Sequence, residues 1–240
     1  MTVLLLPGLL CDHTVWNDQS DALGEFAEVI IPDFRCASSI PAMAQLVLDA
    51  AGSSSNPRFA VAGHSMGGRV ALEVFRMAPD RVERLALLDT GVHPRAAGEE
   101  SKRQELIDLA RTHGMTALAA RWLPPMLHPD HSALLLQRLT EMVERSTPET
   151  FTNQQRALLD RPDARTVLPD IRCPVLVLCG RQDAWSPVPQ HEEIAASIPQ
   201  SKLVMVEECG HMSPAEQPGA VTSALREWFV IRTGRRIHHH

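Results

Sequence analysis

Short apolar runs recur along this chain, and between them apolar positions repeat at helical spacing. Val3-Leu4-Leu5-Leu6 is the first run and stops at Pro7-Gly8. Others lie at residues 28–31, 58–62, 84–88, 174–179 and 202–206. Runs of this length suit strands buried on both faces of a parallel sheet. The intervening periodicity predicts helices. Val15, Gln19, Ala22, Leu23 and Phe26 share one face of a helix over 15–26. Ser39 caps a helix reaching about residue 51, on which Met43, Leu46, Val47 and Ala50 align. Val70, Val74 and Met77 repeat until Pro79. Further helices are predicted over 188–198 and 215–231, the last with Val221, Leu225, Trp228 and Phe229 on one stripe. Strands alternating with helices predict βαβ units, right-handed crossovers and ligands at the carboxyl ends of the strands.

The alternation stops at residues 91–170. That stretch carries only helical patterns, at 101–112, 115–122, 130–145 and 148–159, with a break at Pro124-Pro125. An all-helical insertion in an α/β chain predicts a lid above the strand ends. The expected organisation is therefore a core of residues 1–90 and 171–232, a helical lid at 91–170 and a tail at 233–240. His238-His239-His240 reads as an expression tag. Residues 52–57 are rich in turn formers and read as a loop.

Composition narrows the function classes. A formal net charge of −6 argues against nucleic acid and against an anionic membrane surface. No apolar stretch is long enough to span a bilayer, and the first residues lack the basic start of a signal peptide. The five cysteines, Cys11, Cys36, Cys173, Cys179 and Cys209, form no C-x-x-C pair. They read as reduced, packed thiols of a cytoplasmic protein. The histidines show no metal-ligand spacing, so no metal is expected. With tyrosine absent, no tyrosine can be catalytic.

The candidate chemistry lies at strand ends. Gly63-His64-Ser65-Met66-Gly67 follows the run at 58–62 and precedes the helix that contains Val70. It fits G-x-S-x-G, in which a serine sits on a sharp strand-to-helix turn. Small neighbours allow the strained backbone and the close strand–helix approach. The helix N-terminus favours a developing anion. A serine hydroxyl needs a base, and the base needs an acid to hold its tautomer. Asp183 follows the run at 174–179, and His211 follows the run at 202–206. The order Ser65, Asp183, His211 is the one this fold uses. Asp89 also ends a strand, but reads as a turn cap. His64 reads as support for the turn. His93, His113, His128, His131 and His191 read as surface or lid residues, and Cys209 as a packed thiol.

With these motifs in place, the chain resembles the α/β-hydrolase superfamily over nearly its whole length. Gly-His-Ser-Met-Gly-Gly, Gly180-Arg181-Gln182-Asp183 and Gly210-His211-Met212-Ser213-Pro214 carry the resemblance. It implies an α/β-hydrolase fold, with a mostly parallel sheet of about six strands because the family's first strands are missing. It implies Ser65 as nucleophile, His211 as base and Asp183 as acid. The backbone N–H groups of Met66 and Leu9 would form the oxyanion hole, with Leu10 an alternative donor. The loop at 33–38 lacks the glycines usual in the family, which alters one pocket wall. Pocket candidates are Leu10, Arg69, Trp122, Leu123, Met126 and Trp185.

The implied activity is a carboxylesterase taking a small-molecule ester of small to medium acyl chain in a mainly apolar pocket, with no cofactor. Lactonases, thioesterases and C–C hydrolases resemble it too. Arg69 points to a further alternative. A similar arginine in menaquinone-pathway lyases of the superfamily helps bind an anionic substrate; otherwise Arg69 pairs with a nearby acid. Some relatives are ligand receptors without turnover.

Overall fold

The computed structural model describes residues 1–52 and 58–230. Of the loop expected at 52–57, Gly52 ends a helix and residues 53–57 lie outside the described residues, as does the tail at 233–240. Six strands form one sheet: β1 Thr2–Leu6, β2 Glu28–Ile30, β3 Phe59–His64, β4 Val82–Leu88, β5 Val175–Gly180 and β6 Ser201–Val206. Every pairing is parallel, in the order β2-β1-β3-β4-β5-β6. The four inner strands carry the unbroken apolar runs and are buried along almost their whole length. The edge strands β2 and β6 mix polar with apolar positions and stay partly open. Burial on both faces is what an inner parallel strand requires, so the run length and the position in the sheet agree.

Helices flank the sheet. They are α1 Asn17–Gly24, α2 Ile40–Gly52, α3 Met66–Met77, α4 Glu99–Trp122, α5 Ala133–Glu144, α6 Pro148–Leu159, α7 Val188–Ser197, α8 Ser213–Glu216 and α9 Pro218–Val230. Helix α1 packs with α9, and α2 packs with α3. The insertion between β4 and β5 holds α4, α5 and α6 and no strand. Among the described residues, no helix is long and apolar enough to cross a membrane.

Two predicted helices are divided, and two others are joined. The stretch at 15–26 begins as a 3₁₀ turn, His13–Trp16, before α1. Phe26 falls past the helix end and is exposed, its ring tilted against that of Phe229 with centroids 5.4 Å apart. The last helix breaks before Pro218, which has no N–H to continue the ladder from α8. The two helices expected at 101–122 form α4, bent at Gly114, where φ is 82°. Helix α5 starts at Ala133, later than predicted, because the Ser132 hydroxyl caps it by accepting from the Leu135 N–H.

Candidate active site

The elbow after β3 shows why its sequence is small. A methyl group on Gly63 would lie 2.1 Å from the Gly67 carbonyl oxygen, and one on Gly67 would lie 2.2 Å from that of Leu6. Strand β3, helix α3 and strand β1 therefore meet backbone to backbone. Ser65 is held between them at φ 55°, a left-handed conformation costly for a side chain of this kind. Its N–H donates to the Leu88 carbonyl (2.9 Å), and the Thr90 hydroxyl and Gly68 N–H donate to its carbonyl (2.7 and 3.0 Å).

The ends of β5 and β6 approach as closely. A methyl group on Gly180 would lie 2.0 Å from the Gly210 carbonyl. This contact sets the Asp183 loop beside the His211 loop. His211 Nδ1 lies 2.9 Å from Asp183 Oδ2, and His211 Nε2 lies 2.8 Å from the Ser65 hydroxyl. The other oxygen of Asp183 accepts from the N–H groups of Trp185 and Ser186 (2.8 and 2.9 Å). The structure thus brings the three residues expected from three strand ends into one hydrogen-bonded line.

Electrostatics fix the direction of that line. Burial pushes the pKa of His211 down, but the Asp183 charge and hydrogen bond outweigh it, and the net shift is upward. Burial acts to raise Asp183, and His211 together with the backbone N–H donors brings it below the usual carboxylate range. Asp89 goes the other way. It is fully buried beside the Asp183 charge and is pushed well above that range. Its oxygens take the Gly180 N–H (3.0 Å) and the Ser213 hydroxyl (2.5 Å), so it ties strand ends together as a cap. His64 donates from Nε2 to the His211 carbonyl (2.8 Å), and burial, then the nearby His211 charge, pushes its pKa down to about 3. It supports the His211 loop as a neutral ring.

A cavity of about 730 Å³ opens on the Ser65 hydroxyl. Leu9 and Met66 line it, and among the described residues neither backbone N–H has an acceptor in the protein. Met66 opens α3, so its N–H is one of the unpaired donors of a helix start. Trp122, Met126 and Trp185 also line the cavity. The Trp185 ring lies 6.2 Å from His211 and 6.5 Å from Trp122, which makes an aromatic wall beside His211.

Two pocket candidates are displaced. Leu123 is wholly buried in the core and does not line the cavity, because the turn after α4 points it inward. Leu10 lies behind the turn, against a separate cavity of about 270 Å³. Its N–H is taken by the Gln154 side-chain oxygen at 2.9 Å, which removes it as an alternative oxyanion donor.

The cavity is also more basic than an apolar pocket implies. Arg69, Lys102, Arg103, Arg161 and Arg165 line it, against the single carboxylate of Glu99. Glu99 is held by Arg161 (2.7 Å) and Arg103 (2.8 Å), and Arg165 pairs with Asp163 (2.5 Å). Arg69 has no such partner among the described residues; its Nη1 donates to the His93 carbonyl at 3.0 Å. Burial, and then Arg161 nearby, pushes its pKa down to about 9, and it stays charged at neutral pH. Lone arginines and lysines on helices announce no such cluster in a sequence. His191 departs from the surface or lid position expected of it. It is fully buried on α7, where its Nε2 accepts the Thr90 N–H (3.0 Å) and so backs the residue that grips Ser65.

A sequence model described as "Alpha/beta hydrolase family" matches residues 3–224. The chain belongs to this family. A putative carbamate hydrolase RutD of Yersinia enterocolitica is 27% identical over 97% of this chain and 88% of its own length. A malate-bound thermophilic esterase from Thermogutta terrifontis superposes with a TM-score of 0.87 at 29% identity, over 95% of this chain and 89% of its own. An enol-lactonase from Burkholderia xenovorans gives 0.85 at 25% identity, over 95% and 90%. The family and these relatives support a hydrolase.

Proposed function

We propose that this member of the alpha/beta hydrolase family cleaves carboxylic esters of small to medium acyl chain through an acyl-enzyme on Ser65. The observation that carries the reading is the line Ser65–His211–Asp183, at 2.8 and 2.9 Å, facing one cavity with two unpaired backbone N–H groups. His211 takes the Ser65 proton as the hydroxyl attacks the ester carbonyl. The carbonyl oxygen becomes an oxyanion and is met by the N–H groups of Leu9 and Met66; losing one such donor costs about 3–4 kcal/mol of barrier. His211 then protonates the leaving alcohol. In the second half it draws a proton from water, which releases the acid and restores Ser65. Asp183 holds the imidazole tautomer and offsets its positive charge. The insertion is the lid over this chemistry, and its helices α4 and α6 supply the far wall.

A second reading is favoured by Arg69. A partly buried guanidinium with no carboxylate partner among the described residues suits a substrate that carries its own anion, and the related esterase bound to malate is consistent with that. On this reading the substrate is an ester or lactone with a free carboxylate, or an anion from which the same base removes a proton in an elimination. A panel of neutral esters, monoesters of dicarboxylic acids, lactones and thioesters tests both. Turnover of esters that disappears in Ser65→Ala supports the hydrolase. Inert esters together with elimination from a dicarboxylate support a lyase. Tight ligand binding without product supports a receptor.

A further inference from the structure

The turn that carries Leu9 is unusual in its chemistry. The Cys11 N–H closes it onto the Gly8 carbonyl at 3.1 Å, and Leu10 occupies the third position at φ 58°. A turn with positive φ at that position and negative φ before it normally takes glycine or asparagine there. A leucine in this conformation is strained, because its Cβ crowds the neighbouring carbonyl. With leucine, the chain would favour the alternative turn, in which the Leu9–Leu10 peptide is rotated.

Leu9 and Leu10 are buried against the core, but the turn is not enclosed on every side. Cys11 lines both the cavity at Ser65 and the 270 Å³ cavity behind the turn, so open space adjoins the turn on two sides. The polar contact that fixes the peptide comes from the insertion. Gln154, buried on α6, accepts the Leu10 N–H at 2.9 Å across 144 residues of sequence. Rotating the Leu9–Leu10 peptide would break this bond and bring the Leu9 carbonyl toward the Gln154 oxygen.

We infer that Gln154 is a positioning residue for the oxyanion hole. By gripping the Leu10 N–H it pins the far side of Leu9 and holds the turn in its strained form, so that the backbone carrying the Leu9 N–H keeps its place beside the reacting carbonyl. The inference rests on the hydrolase reading of Ser65. It makes seating of α6 a condition for catalysis: the insertion supplies part of the oxyanion geometry as well as a wall.

The test compares Gln154→Leu, which keeps the bulk without an acceptor, with Gln154→Glu, which keeps an acceptor oxygen. Each is measured for kcat and KM on one ester that the wild type cleaves. Each is also measured for affinity toward a trifluoromethyl ketone, whose serine adduct places an oxyanion in the same site. Expected for Gln154→Leu is a fall in kcat of about 30-fold, KM within threefold, and a parallel loss of ketone affinity. Gln154→Glu restores most of both. In the Leu10→Gly background, where positive φ is cheap, the Gln154→Leu penalty shrinks. A merely structural bond predicts a lower melting temperature with kcat per folded molecule and ketone affinity unchanged, and that result overturns the inference. If Gln154→Leu does not fold, Gln154→Asn, which withdraws the acceptor by one methylene, is read in the same way. A wild type that neither cleaves esters nor binds the ketone removes the hydrolase reading and this inference with it. An active wild type with an unaltered Gln154→Leu overturns the inference alone.

Discussion

At the carboxyl ends of β3, β5 and β6, backbone meets backbone so closely that a single added methyl group would collide, at 2.1 Å beside Gly63 and 2.0 Å beside Gly180. Between β4 and β5 the contacts are of another kind. Arg103 and Arg161 reach from α4 and from just past α6 to one carboxylate, Glu99, and Gln154 reaches from α6 to the Leu10 N–H. The frame positions its groups with peptide planes, which have few alternatives. The insertion positions its groups with long side chains, which have many. On the proposed reading, reactivity lies in the frame, and the choice of substrate falls to the insertion and to Arg69, which stands where the two meet.

The sharpest break in this comparison lies in the frame. Asp183→Asn should lower kcat about 10⁴-fold, near 5.5 kcal/mol of barrier, with the fold kept. Steady-state kinetics with a calorimetric melting check tests it. The pH profile follows the same group. His211 must be neutral to act as base, and its pKa is raised above 6.5, so kcat/KM should climb with pH through a midpoint above 6.5. Removing the Asp183 charge should move that midpoint down.

His191 sharpens the comparison through stability. Its folded pKa is lowered from 6.5 to about 4, chiefly by burial. Below pH 6.5 the unfolded chain takes up a proton that the folded chain refuses. Stability from this group is therefore present above pH 6.5 and lost as pH falls toward 4, by about 3 kcal/mol at most. His211, with its raised pKa, works in the opposite sense. Comparing denaturant melts of the wild type and His191→Gln between pH 7 and 4 isolates the His191 part, and the variant should show the flatter dependence.

Arg69 tests the border between the two regions. Arg69→Gln should lower, about 100-fold, the ratio of kcat/KM for a glutarate monoester over kcat/KM for an uncharged pentanoate ester. An unchanged ratio would return Arg69 to a structural role. The smallest effect belongs to the outer face of the insertion. Leu134 on α5 is 75% exposed, and Leu134→Ser should change stability by less than about 0.5 kcal/mol.

The same difference explains what the sequence disclosed. Strand-end glycines leave local signatures, since only glycine tolerates the approach of Gly63 to Gly67. Ser65, Asp183 and His211 could be read from such signatures, as could six strands from apolar runs. Leu10 and Leu123 could not be assigned correctly, because one turn decides which way each faces. Gln154, Thr90 and His191 left no signal: each acts through a partner far away in sequence, and glutamine, threonine and histidine occur on any helix or loop. The basic cavity was hidden for the same reason, since its cations are spread from residue 69 to residue 165.

The central claim is that Ser65 is the residue that attacks. Reaction with a fluorophosphonate, followed by peptide mass spectrometry, tests it without knowledge of the natural substrate. The account predicts one stoichiometric adduct on Ser65, no adduct in Ser65→Ala, and labelling at least about 10³-fold slower in His211→Gln, where the base is gone. A folded wild type that takes no label, or takes it on another residue, would contradict it.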